Sequence, residues 1–116
     1  MDKLVLTRNN DFRRIYARGK NQVHPILITY VMKNRKNAAK GVTRSGITAS
    51  KKIGNAVQRN RSRRVIRAAF QSLLPRMDKN RNLDLIFVAR GKTPFVKSTA
   101  VQKVMEKHLK EAGILR

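Results

Sequence analysis

Lys51, Lys52, Arg59, Arg61, Arg63, Arg64 and Arg67 fall within one stretch, Ser50 to Phe70, that contains no Asp or Glu. Side chains of these types hold phosphate: Lys acts as a point charge, while Arg offers a planar fork that grips two oxygens or stacks on a base. On a helical wheel at about 100° per residue, Val65, Ile66, Ala69, Phe70 and Leu73 share a sector of roughly 140° and are expected to face a core. Asn60, Arg63, Arg64 and Arg67 lie on the far side, Arg59 and Arg61 border it, and Lys51 and Lys52 precede the helix. Like charges at i,i+4, such as Arg59/Arg63 and Arg63/Arg67, cost about 0.2–0.5 kcal/mol per pair in an isolated helix. Without acids in the stretch to offset it, this crowding points to an external polyanion rather than to a solvated helix face.

Other chemistry is thinly represented. The chain has six acidic residues, none closer in sequence than Glu106 and Glu111, and two histidines, His24 and His108. A protein nuclease needs clustered carboxylates for metal or acid–base pairs of His and Lys, and neither pattern is present. Glu106 stands four residues before Lys110 and is expected to form an i,i+4 ion pair with it. His108 reads as a surface or boundary residue of the last helix, and His24 carries the same reading. There is no Walker-type glycine loop or nucleophile elbow. The expectation is that the protein has neither catalytic nor metal-ligating residues.

The charge balance agrees. Net charge is +22 over 116 residues, and the interval from Asp11 to Asp78 holds 17 Lys or Arg with no acid between those two. Such a field favours nucleic acid over a membrane surface, for which the central helix lacks large exposed hydrophobes. The absence of cysteine excludes disulfides and Cys-based zinc sites and fits a reducing, cytoplasmic setting. The longest apolar run, Pro25 to Met32, is far short of the roughly 20 residues that span a bilayer. The start, MDKLVLTRNNDF, has no signal-peptide core, so the chain is expected to be soluble and unexported.

The elements that must position the basic helix follow in order. Asp11 to Arg18 reads as a first helix, capped by Asn9 or Asn10, stopped by Gly19, with Phe12, Ile15 and Tyr16 on one side. Val23 to Met32 predicts one strand, or two broken at Pro25. Lys33 to Arg44 is basic and apolar-poor, a loop between strands. Gly46 to Ser50 predicts a strand that enters the basic helix through Gly54 and Asn55, and the helix must end before Pro75. Leu83 to Ala89 predicts a buried strand, making a parallel strand–helix–strand crossover. A last helix starts at Thr93-Pro94 or Ser98-Thr99, places Val101, Val104, Met105, Leu109 and Ala112 inward, and stops at Gly113. No repeat or boundary divides the chain, so residues 1–116 are expected to form one nucleic-acid-binding domain.

SKKIGNAVQRNRSRRVIRAAF, with Arg59-Asn60-Arg61 inside it, resembles the signature of the bacterial ribonuclease P protein subunit. NNDFRRIYARGK is similar to that family's first helix, and the strands around Ile26 to Tyr30 and Asp84 to Arg90 fall in the family order; the likeness weakens in Lys33 to Arg44 and Gly91 to Ala100. The resemblance implies an α+β sandwich of order αβββαβα with a mixed four-stranded sheet. It also implies a left-handed crossover through the basic helix, where a right-handed one is the general rule. It further implies a subunit that pairs with a large catalytic RNA to remove the 5′ leader of precursor tRNA, with Mg²⁺ held mainly by RNA and no protein oligomer required. Lys51, Lys52, Arg59, Asn60, Arg61, Arg63, Arg64 and Arg67 would then face the catalytic RNA, and Phe12, Tyr16 and Tyr30 would line the cleft that takes the single-stranded leader. Stacking suits that task because it tolerates any base.

Two other classes stay open from the residues themselves. A structural ribosomal or RNA-assembly protein shares the size and charge but has no use for a leader cleft. A free-standing nuclease would cleave without an RNA partner, and lacks the side chains to do so.

Overall fold

Leu83–Ala89 becomes the strand around which the rest is laid, and its near-continuous apolar run is explained by burial on both faces. The structure, a computed structural model, describes residues 4–5, 9–33, 43–77 and 82–115. The elements are β1 (Leu4–Val5), α1 (Asn9–Arg18), β2 (Lys20–Val23), β3 (Leu27–Lys33), β4 (Arg44–Thr48), α2 (Ala56–Leu73), β5 (Leu83–Ala89) and α3 (Ser98–Glu111). Strands β2 to β5 form the expected mixed four-stranded sheet, and the two-residue β1 adds at its edge in the order β1-β4-β5-β3-β2. β4 and β5 are parallel neighbours joined through α2, whereas β3 is antiparallel to both β5 and β2.

Pro25 divides the predicted strand. His24 and Leu27 exchange both backbone hydrogen bonds across Pro25-Ile26, so β2 and β3 form a tight hairpin. The other boundaries shift modestly: α1 begins at Asn9, which places Asn9 and Asn10 inside the helix instead of capping it, and β4 runs Arg44–Thr48 rather than 46–50. The loop expected from Lys33 to Arg44 lies, between its ends, outside the described residues.

Strand alternation gives each sheet face a different partner. Leu27, Val31, Leu83, Leu85, Phe87 and Ala89 point to the face covered by α2 and α3, where they meet Val65, Ile66, Ala69, Phe70 and Leu73. The wheel sector of α2 is thus the buried one. Ser62 joins it, its hydroxyl donating to the Gln58 carbonyl 2.9 Å away, so that no polar group is stranded. On the opposite face Ile15 of α1 packs on Ile86, with Phe12, Tyr30, Met32 and Val88 around them. In α3 Val101, Met105 and Leu109 are buried as expected, but Ala112 is exposed because the helix ends at Glu111. Gly113, at φ 75°, turns the chain so that Ile114 and Leu115 return to the core.

His108 corrects the sequence reading: it is buried, 5% exposed, and its Nδ1 shares a 2.8 Å hydrogen bond with the hydroxyl of fully buried Thr29. His24 lies nearby, with ring centroids 6.5 Å apart. Burial, and secondarily the charge of His24, pushes the His108 pKa below its ordinary 6.5. A base with a depressed folded pKa stabilises the fold fully above its unfolded pKa and loses that contribution as pH falls through the folded one. The melting temperature is therefore expected to fall as pH drops below about 6.5, by at most about 1.4 kcal/mol of stability per pH unit. His108→Gln should flatten this dependence in thermal scans; an unchanged pH profile would place the titrating group elsewhere.

Candidate nucleic-acid interface

α2 starts where it does because two residues leave the chain no alternative. Gly54 has φ 143°, and a Cβ there would stand 1.8 Å from Gln58 Oε1. Asn55 and Gln58 then form a reciprocal capping box: Asn55 Oδ1 accepts from the Gln58 N–H at 2.9 Å, and Gln58 Oε1 accepts from the Asn55 N–H at 3.0 Å. Such a cap is worth about 1 kcal/mol and sets which residues face outward.

The outward residues are Asn60, Arg61, Arg64 and Arg67, all exposed, with Arg59 and Arg63 half-buried beside them and Lys51 and Lys52 exposed on the short 3₁₀ turn before the helix. Three arginines are fixed by their own backbone surroundings. Arg59 Nη1 donates to the Gly54 carbonyl at 3.1 Å, Arg61 Nε to that of Pro94 at 2.6 Å, and Arg63 to Asn60 Oδ1 at 3.2 Å and the Ala49 carbonyl at 3.4 Å. Among the described residues none of the five α2 arginines forms an ion pair with a carboxylate. The helix thus presents preorganised cations whose charges are left for an external anion.

Phe12, Tyr16 and Tyr30 come together on the other sheet face. The Phe12 and Tyr16 rings are 6.2 Å apart, and Tyr16 meets Tyr30 edge-on at 5.0 Å. Tyr16 is 38% exposed, and its hydroxyl shares a 2.7 Å hydrogen bond with Thr48 at the end of β4. Beside the rings the register Thr48↔Val88, Val88↔Ile28 and Ile28↔Val23 lays a row across the same face. Val23 at its far end is 64% exposed. Sequence reasoning missed this floor because β2 is mostly polar and Thr48 carries no local signal.

α1 is held over the sheet by four charged groups. Asp84, 0% exposed, accepts from Arg44 Nε at 2.9 Å and Nη2 at 2.8 Å and from Arg14 at 3.1 Å. Asp11 meets Arg14 at 3.3 Å and Arg44 at 3.4 Å. The bidentate hydrogen bond to Asp84 raises the Arg44 pKa despite burial, keeping the guanidinium charged. Asp11 and Asp84 hold two guanidinium groups between them, and among the described residues no three acidic or histidine side chains converge. Elsewhere Glu106 pairs with Lys110 at 3.4 Å as expected, and also with Arg76 at 2.6 Å, whose hydrogen bond holds its carboxyl below the usual range. No described helix is long and apolar enough to cross a membrane.

The two halves meet at the end of β4. Thr48 touches Tyr16 on one sheet face, the carbonyl of Ala49 receives Arg63 from the other, and Lys51 and Lys52 follow directly. Adjoining aromatic rings on one sheet face and a basic helix without carboxylate partners on the other, joined in one small α+β sandwich, are the features expected of a small nucleic-acid-binding protein. The ribonuclease P family model matches residues 1–113, and the chain belongs to that family. It is 35% identical to the ribonuclease P protein component of Clostridium botulinum strain 657 over 98% of both chains, and 34% identical to that of Clostridium kluyveri over the whole of both. The structure of the Staphylococcus aureus RNase P protein superposes with a TM-score of 0.79 at 30% identity, covering 97% of each chain.

Proposed function

We propose that this chain is the protein component of ribonuclease P: α2 grips the catalytic RNA, and the cleft between α1 and the sheet takes the single-stranded 5′ leader of precursor tRNA. The observation that carries this is the junction at β4, where a strand leaving the Tyr16–Tyr30 rings passes directly to Lys51, Lys52 and the α2 arginines. Hydrolysis of the phosphodiester and the Mg²⁺ it needs belong to the RNA in this reading. The chain's own residues bind and orient. The rings supply stacking of about 1–3 kcal/mol per base without reading sequence, as a protein handling many leaders requires. The arginines neutralise phosphates brought close together where the two RNAs meet.

The test compares precursor tRNA with mature tRNA, each binding to the chain assembled with catalytic RNA. Phe12→Leu and Tyr16→Leu keep apolar volume but remove the π-face, and are expected to weaken precursor binding by about 1–3 kcal/mol each while mature tRNA is held as before. Equal losses for both ligands, or none, would remove the leader from this cleft and favour a structural RNA-assembly role.

A further inference from the structure

Phe95 is 71% exposed, yet the 3₁₀ turn that carries it, Thr93–Phe95, is anchored on every side. Thr93 is fully buried; its hydroxyl donates to the Ile26 carbonyl at 2.6 Å and accepts from the Arg90 N–H at 2.7 Å. Pro94 is buried with its φ fixed by the ring, and its carbonyl receives Arg61 Nε at 2.6 Å. The Phe95 N–H donates to the Lys92 carbonyl at 3.1 Å, and Val96 packs on the core immediately afterward. A residue with both neighbours turned inward and its own ring turned outward is presented, not left over. Exposure of one apolar residue is ordinary on a protein surface; it is the anchored turn holding this ring outward beside exposed cations that points to a partner.

The surroundings specify the partner's chemistry. Lys92 and Lys97 are exposed on either side of the ring in sequence, Arg61 is bonded to the same turn, and Gly91 to Lys97 contains no acid. A flat apolar ring set among cations fits a nucleobase whose flanking phosphates the cations hold. The position is also distinct from the α1 cleft, since the turn packs against α2, on the other side of the sheet.

We propose that Phe95 is a second stacking platform, taking an unpaired base of the RNA that α2 holds, with Arg61, Lys92 and Lys97 on the adjoining phosphates. This rests on the reading of α2 as the face for catalytic RNA. The chain contains no Trp, so Phe95→Trp gives a single local reporter. On titration with catalytic RNA at low salt, its emission is expected to be quenched by stacking while affinity stays near wild type. Phe95→Ala is expected to weaken binding about 5- to 150-fold without changing the salt slope, because a ring releases no counterions, and Phe95→Leu to weaken it similarly. Wild-type affinity for Phe95→Ala, restoration by Leu, or Trp emission indifferent to RNA would each overturn the proposal and leave the ring for a protein surface. If the wild-type chain itself fails to bind catalytic RNA, the functional reading of α2 falls, and this proposal falls with it. Binding by wild type with no loss in Phe95→Ala removes only the platform.

Discussion

Asp84→Ala is expected to cost about 3–5 kcal/mol of stability, the range seen when one partner of a buried ion pair is removed. Its carboxylate is fully buried and receives both Arg44 and Arg14, so its loss leaves two guanidinium groups under α1 with, among the described residues, Asp11 at 3.3–3.4 Å to balance them. Against a total of roughly 5–15 kcal/mol for a domain of this size, that is a large share. Urea unfolding should show the midpoint falling with little change in slope. The solvent-open pair Glu106–Arg76 offers the contrast: Glu106→Ala should leave the midpoint nearly unmoved. A comparable small effect for Asp84→Ala would mean that α1 is held by Ile15 and its neighbours alone. Because the same network fixes the helix that carries Phe12 and Tyr16, leader binding is expected to weaken with it even where the variant remains folded.

Replacing Arg63, Arg64 and Arg67 together by Ala should produce the largest loss in RNA affinity, with the fold intact. Hydrogen bonds to charged groups contribute about 1.5–3 kcal/mol, so three lost phosphate contacts amount to about 10³-fold or more. The mechanism has its own signature: log K for RNA falls linearly with log salt by about 0.7–0.9 per neutralised phosphate, so the triple variant should be shallower by about two to three. Loss of affinity at an unchanged slope would mean these arginines act through structure. Arg64 and Arg67 are exposed and outside the backbone contacts that fix Arg59, Arg61 and Arg63, so their single variants report phosphate contact most cleanly.

α2 was legible in sequence because local physics determines it. The 3.6-residue period selected Val65, Ile66, Ala69, Phe70 and Leu73, and Gly54-Asn55 marks the start through backbone freedom and a cap. Leu83–Ala89 was legible for the same kind of reason, since a strand buried on both faces is apolar throughout. Features that depend on distant partners were not. β2 is Lys-Asn-Gln-Val, a polar strand whose only signature is the partner it pairs with, and β1 is too short for any period to show. Asp11 and Asp84 carried no hint of each other, and His108 looked like a surface residue because Thr29, which satisfies it, is on another element. The aromatic group stands between these cases. Helical spacing put Phe12 and Tyr16 on one side of the first helix, and the expectation that they and Tyr30 line a leader cleft came from the family likeness; the structure adds that the three rings adjoin and that Tyr16 bonds Thr48 at the entrance to the basic helix.

The most direct test is cleavage of a 5′-extended precursor tRNA in Mg²⁺ at low salt, with the chain alone, with catalytic RNA alone, and with both. The account predicts a cut at the mature 5′ end that is faster with both than with RNA alone, and none with the chain alone. Cleavage by the chain alone, or no acceleration of the RNA by the chain, would contradict it.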